Sequence, residues 1–162
     1  MASDIIRCHR TFFMKIEEEI QQATFRNAYQ KATINLIFTH HWLMNQHKDF
    51  FKPFGITNQQ YNILRILRGQ YPNGISGAEI KNRMLDKNSD VSRLLDRLLI
   101  KKLIAKKQST ADKRATVVLI THKGLELLKS IDHHTPEIDG IANALNEKEA
   151  IQLSNLLDKI RG

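Results

Sequence analysis

The sequence predicts a mainly α-helical fold carrying one small β-hairpin, an α+β arrangement with long helices on either side of a short-helix and hairpin segment. Three observations carry this. Apolar residues recur at helical spacing, most clearly Val91, Leu94, Leu95, Leu98 and Leu99 at i, i+3, i+4, i+7 and i+8. Capping boxes mark helix starts at Thr57-x-x-Gln60, Ser76-x-x-Glu79 and Asn146-x-x-Glu149, where the first side chain satisfies an early backbone amide and the second reaches back. The period becomes strand-like at Leu103–Gln108 and Thr116–Thr121, the second rich in β-branched residues.

Residues 1–13 follow no period, and residues 1–23 read as an N-terminal extension to a single domain over 24–162. Met14 opens the charged stretch Lys15-Ile16-Glu17-Glu18-Glu19-Ile20. From Thr24 to Phe51 a long helix is expected. Ala28, Ala32, Leu36 and Leu43 form one stripe and Ile34, Ile37 and Phe38 a neighbouring one, a pattern that suits burial on two sides. Pro53 and Gly55 end it. The helix opened by Thr57 carries Tyr61, Leu64 and Leu67 on one face, and Gly69 with Pro72-Asn73-Gly74 turns the chain.

A short helix then runs from Ser76 to about Arg83, with a break at Asp86-Lys87-Asn88. The next helix, Asn88–Lys101, sets its apolar stripe against a face of Asp90, Ser92, Arg93, Asp96, Arg97 and Lys101. After the hairpin, Thr121 caps another helix that bends or restarts near Thr135-Pro136. The final helix places Leu153, Leu156, Leu157 and Ile160 at core spacing.

Composition narrows the partners. The chain of 162 residues carries 25 Lys and Arg against 17 Asp and Glu, a net charge of +8. Such a balance favours a polyanion, either nucleic acid or an anionic membrane surface. Position decides between them. Eleven basic and five acidic side chains lie between Glu79 and Thr116, so most of the excess falls in under a quarter of the length. Phosphate neutralisation needs such local concentration, whereas a membrane-surface helix pairs its basic face with bulky aromatics. No apolar run approaches the roughly 18 residues of a membrane span, and the start, Met1-Ala2-Ser3-Asp4, lacks a secretory layout, so a cytoplasmic protein is expected. Cys8 is the single cysteine, which leaves the fold independent of an internal disulfide.

Helix, helix, helix, strand, connector, strand over about Thr57–Thr121 is the layout of a winged helix-turn-helix, whose second short helix enters a major groove about as wide as itself. Within it, the run Ser89-Asp90-Val91-Ser92-Arg93-Leu94-Leu95-Asp96-Arg97-Leu98, then Leu103-Ile104, then Asp112-Lys113-Arg114, then Val118-x-Ile120-Thr121-x-x-Gly124 resembles the multiple-antibiotic-resistance regulator (MarR) family of bacterial transcription factors. The resemblance covers about Thr24 to the C-terminus. It implies a homodimer framed by helices in 24–55 and 122–162. The lobe at 56–121 would bind double-stranded DNA, and two such lobes would straddle a palindromic site, in the manner of a ligand-responsive repressor.

By the same resemblance Asn88, Ser89, Asp90, Ser92 and Arg93 face the major groove, and Arg93 and Arg97 touch phosphates or guanine edges. Asp112 orients the wing beside Lys113, and Arg114 enters the minor groove, where a narrow groove attracts arginine. Two positions depart from the family pattern. Lys102 stands where glycine is usual after the recognition helix, which points to a different helix end, and Lys106 stands where arginine is usual, giving a phosphate contact that is not bidentate. Phe38, Trp42, Phe50, Phe54 and Tyr61 fall where relatives form a pocket for a small aromatic or phenolic effector.

Other readings compete. Asp112-Lys113-Arg114 alone is an ordinary solvated turn, and Arg93 and Arg97 also suit helix-surface pairs with Asp90 and Asp96. His40-His41, His47 and His133-His134 have no accompanying ligand cluster, so neither a metal nor another cofactor is expected. A winged helix can also dock proteins rather than DNA, in which case charge reversal at Arg114 would leave activity intact. An enzyme is not expected, for the sequence shows no Gly-rich phosphate loop, metal quartet or nucleophile elbow.

Overall fold

The computed structural model describes residues 14–108, 116–140 and 144–162. The chain divides into two compact units, Met1–Met44 and Asn45–Gly162. Its helices are α1 (Ile16–Glu19), α2 (Ala28–Phe51), α3 (Asn58–Arg68), α4 (Gly77–Arg83), α5 (Val91–Ile100), α6 (His122–Asp132), α7 (Thr135–Asp139) and α8 (Glu147–Arg161), with strands β1 (Ile104–Gln108) and β2 (Thr116–Ile120) between α5 and α6. The mainly helical, hairpin-bearing class is as the sequence predicts.

In the first unit, α1 is a single turn within the charged stretch that Met14 opens. Its buried Ile16 and an ion pair from Glu17 to Lys31 of α2 fix it. The Lys31 ammonium holds the Glu17 carboxyl below the usual carboxylate range. Met14, Ile16, Glu19, Asn35, Phe38, Thr39 and Trp42 line an open hollow of about 200 Å³. Tyr29, Leu36, Ile37 and Trp42 of α2 are exposed, Ile37 to 53%.

The second unit holds the main core. Phe51, Ile63, Leu64, Leu67, Ile80, Met84, Leu98, Leu128 and Ile131 are completely or almost completely buried, so α3, α4, α5 and α6 all send their apolar stripes to one place. Each such side chain contributes about 1.5–3 kcal/mol. The expected capping boxes are all present: Thr57 with Gln60, Ser76 with Glu79, and Asn146 with Glu149. Thr121 Oγ1 likewise accepts the Gly124 amide at 3.1 Å. Arg68 joins α3 to α6 through Asp132 at 2.6 Å.

The hairpin is antiparallel, with Ile104 opposite Ile120 and Gln108 opposite Thr116. Ile75, just after the Pro72-Asn73-Gly74 turn, adds a bridge to β2: its amide donates to the Val118 carbonyl at 3.1 Å, and the Val118 amide returns at 2.8 Å. At the other end of the chain, α8 presents Ile151, Leu153, Leu156 and Ile160 to solvent, Leu156 at 51% and Ile160 at 68% exposed. Core spacing in this helix therefore does not correspond to burial within the single chain.

Candidate nucleic-acid interface

The candidate interface is built on α3, α4 and α5. Glu79 closes its capping box by accepting from the Ser76 amide and hydroxyl, each at 2.9 Å, and these bonds hold its carboxyl below the usual range. Helix α4 stops at Met84, whose backbone is extended, and the next amide, Leu85, donates to Asn62 Oδ1 of α3 at 3.0 Å. The turn is thereby anchored to α3. Asp86 organises the approach to α5, accepting the Asn88 amide at 3.0 Å and the Ser89 hydroxyl at 2.9 Å.

Asp90 is the N-cap of α5 and accepts the Arg93 amide at 3.1 Å. The helix proper begins at Val91, so Asn88, Ser89 and Asp90 lie ahead of its first turn, and one carboxylate oxygen of Asp90 serves the cap. Val91, Leu95 and Leu98 are buried, which leaves Ser92, Arg93, Asp96 and Arg97 exposed on the opposite face. Arg93 and Arg97 have no ion pair among the described residues. The expected alternative pairs with Asp90 and Asp96 are not formed. Asp96 instead takes Lys106 of β1 at 3.2 Å, an exposed pair worth at most about 1 kcal/mol.

The end of α5 is a Schellman turn. Lys102 adopts φ +60, its amide donates to the Leu99 carbonyl at 2.8 Å, and the Leu103 amide donates to the Leu98 carbonyl at 3.1 Å. Buried Leu98 and Leu103 supply the apolar contact typical of this motif. Lysine thus holds the left-handed position that favours glycine, and the helix end expected to differ does not. Lys102→Gly should relieve the steric cost and stabilise the fold by about 1 kcal/mol. A urea titration with unchanged slope and a higher midpoint is the expected result; a lower midpoint would count against it.

Asp112, Lys113 and Arg114 lie outside the described residues, as does Cys8. The ascending strand brings Lys106 and Lys107, both exposed, toward that connector.

A family model described as MarR family matches residues 56–116, the stretch from the loop before α3 to the start of β2. Over that stretch the chain is similar to the MarR family. The chain is 28% identical to the HTH-type transcriptional regulator MhqR of Bacillus subtilis (strain 168) over 120 residues, 72% of this chain and 78% of that one. It is 27% identical to a MarR transcription factor of Planctomyces limnophilus of known crystal structure, covering 85% of this chain and 98% of that one with a TM-score of 0.64. It shares the fold of S. aureus MepR, solved as a DNA complex, at 24% identity and a TM-score of 0.70, over 85% of this chain and 97% of that one.

Within this fold the residues expected to line an effector pocket are divided between the two units. Phe38 and Trp42 line the hollow of the first unit. In the second, Phe50 is buried against Phe51 at 5.0 Å between ring centroids, Phe54 lies tilted against Phe50 at 5.7 Å, and Tyr61 packs on Phe51 at 4.6 Å. His47 meets Phe51 edge-on at 6.3 Å, and its burial pushes the imidazole below its usual pKa, with Asn58 opposing. Among the described residues no three His, Cys, Asp or Glu side chains are grouped to hold a metal ion. No described helix is long and apolar enough to cross a membrane.

Sequence reading missed three polar contacts of this region: Asp96 with Lys106, Lys101 with the start of α3, and Lys123 with the end of α5. All join residues that a local pattern does not connect.

Proposed function

We propose that this chain is a sequence-specific DNA-binding repressor that acts as a homodimer on a palindromic operator and responds to a small aromatic or phenolic effector. The observation that carries the reading is the pair Arg93 and Arg97. Both are exposed on the solvent face of a helix whose other face is buried, with no ion pair among the described residues. An unneutralised guanidinium there is matched to phosphate oxygens and to the O6 and N7 of guanine. Asn88, Ser89, Ser92 and the uncapped oxygen of Asp90 supply further polar groups toward base edges, and Lys106 gives up Asp96 to take a phosphate.

The exposed apolar faces of α2 and α8 support a homodimer, since stripes of this kind on a single chain ask for a partner surface. The aromatic residues Phe38 and Trp42 of the first unit and, separately, Phe50, Phe54 and Tyr61 of the second are the candidates for binding an effector. An effector that prefers one spacing of the paired lobes lowers operator affinity by population shift. Asp112, Lys113 and Arg114 form the wing in this reading, with Arg114 in the minor groove.

Selection of bound duplexes from a random pool tests this. Wild-type protein should enrich a palindrome and bind it with strong salt dependence. Arg114→Ala should weaken that binding about tenfold, chiefly through A·T positions flanking the half-sites. Enrichment of no sequence by the wild type would sink the proposal.

A further inference from the structure

Charge counting treats the basic residues between Glu79 and Thr116 alike, but the fold sets one of them apart. Lys101 is the C-cap of α5. Its Nζ donates to the Gly55 carbonyl, in the loop after α2, and to Gln60 Oε1 at 3.3 Å. Gln60 is only 2% exposed, and the same oxygen accepts the Thr57 amide at 3.2 Å. The ammonium therefore joins the end of α5 to the capping box that opens α3. The Lys101 carbonyl in turn accepts Lys123 Nζ of α6 at 3.0 Å. Hydrogen bonds from a charged donor are roughly twice as strong as neutral ones, and a buried acceptor that loses its donor is costly. Lys102 and Lys107, by contrast, have no side-chain partner among the described residues, and Lys106 pairs with a carboxylate.

We propose that Lys101 is a positioning residue for DNA recognition and not a phosphate contact: its tie to Gly55 and Gln60 fixes the tilt of α5, so that Asn88–Arg93 at the far end meet base edges at one angle. This rests on the reading of α5 as the helix in the major groove. The lever is long enough to matter. The ten residues of α5 span about 15 Å, so a tilt of about 10° at the tied end moves the other end by roughly 2.5 Å. Base-edge hydrogen bonds hold only within a few tenths of an ångström. Phosphate contacts from long, flexible lysines tolerate such a shift far better.

The test compares Lys101→Met with Lys102→Met, two variants of equal charge. Each is titrated with the duplex that the wild type enriches most and with a scrambled duplex of the same length, over a range of salt. Lys101→Met should lower the preference for the enriched duplex about tenfold, the scale of one lost base contact, with its salt slope on scrambled DNA unchanged. Lys102→Met should keep the preference. Lys101→Gln is the second variant: neutral, it still donates to a carbonyl, and should keep part of the preference that Met loses. A salt slope lowered by about 0.9 per subunit in both Lys101 variants, with preference retained, would make Lys101 a phosphate contact and overturn the assignment. A wild type with no preference between the duplexes would overturn the DNA reading itself, and the Lys101 assignment with it.

Discussion

Gly124→Ala is expected to lower the melting temperature by about 6 °C. A Cβ at this position would stand 2.3 Å from the Leu103 carbonyl oxygen and 2.7 Å from Ile120 Cγ1. The first is backbone, and it already accepts the Thr121 amide at 3.1 Å, so it cannot withdraw without opening the base of the hairpin. Two effects oppose each other. Alanine is better than glycine inside a helix by about 1 kcal/mol. Forcing a methyl into a closed contact costs typically up to 3 kcal/mol. The clash wins, leaving a net loss of about 2 kcal/mol. Gly77→Ala is the internal control: its Cβ would meet only Leu95 Cδ1 at 3.8 Å, an ordinary contact, so that substitution should be neutral or stabilising. Thermal unfolding followed by circular dichroism separates the two. Equal melting temperatures for both variants would show that the end of α5 and the start of α6 are not closely set.

Leu156→Glu is expected to convert a dimer into a monomer at micromolar concentration. Leu156 lies on the exposed apolar face of α8 with Leu153 and Ile160. If a second copy covers that face, each dimer would bury two new carboxylates, one from each chain, without partners. An uncompensated buried charge costs about 3–5 kcal/mol, enough to raise the dissociation constant more than a hundredfold. Sedimentation equilibrium over a concentration series is the direct measurement. If the chain binds a palindromic site as proposed, DNA affinity should fall with it, because two half-sites one helical turn apart would be held together only by linked lobes. Single-lobe binding to non-specific DNA should change little. A variant that keeps the wild-type mass distribution, or a wild type that is already monomeric, would remove α8 from the interface.

What was legible in the sequence had a local cause. A capping box is written in four consecutive residues, so Thr57-Gln60, Ser76-Glu79 and Asn146-Glu149 were visible as helix starts and are present. The stripe from Val91 to Leu99 repeats at helical spacing, and α5 follows it with Val91, Leu95 and Leu98 buried. Helix α1 escaped because one turn is too short to display a period; Ile16 is buried and Glu17 is paired with Lys31, 14 positions away. The Ile75–Val118 bridge escaped because one residue makes no alternation. Lys102 read as a departure, yet its backbone keeps the left-handed turn, since the bonds of Leu98 and Leu99 to the two following amides set the geometry and not the side chain. At the interface, sequence placed Arg93 and Arg97 on the solvent face correctly but left open their pairing, which depends on Lys106 arriving from β1 to take Asp96.

The Thr121 junction has a consequence for how the protein can vary. Its hydroxyl accepts from Gly124 and donates to the Lys102 carbonyl at 2.8 Å, while its amide bonds to Leu103. The residues between Leu103 and Thr121 thus form a closed loop sealed at its base. Lengthening such a loop at the far end costs only logarithmically in closure entropy, about 0.6 kcal/mol for each doubling. The helices on either side keep their register whatever the tip contains. Insertions between Gln108 and Thr116 are therefore changes that leave the register of α5 and α6 intact.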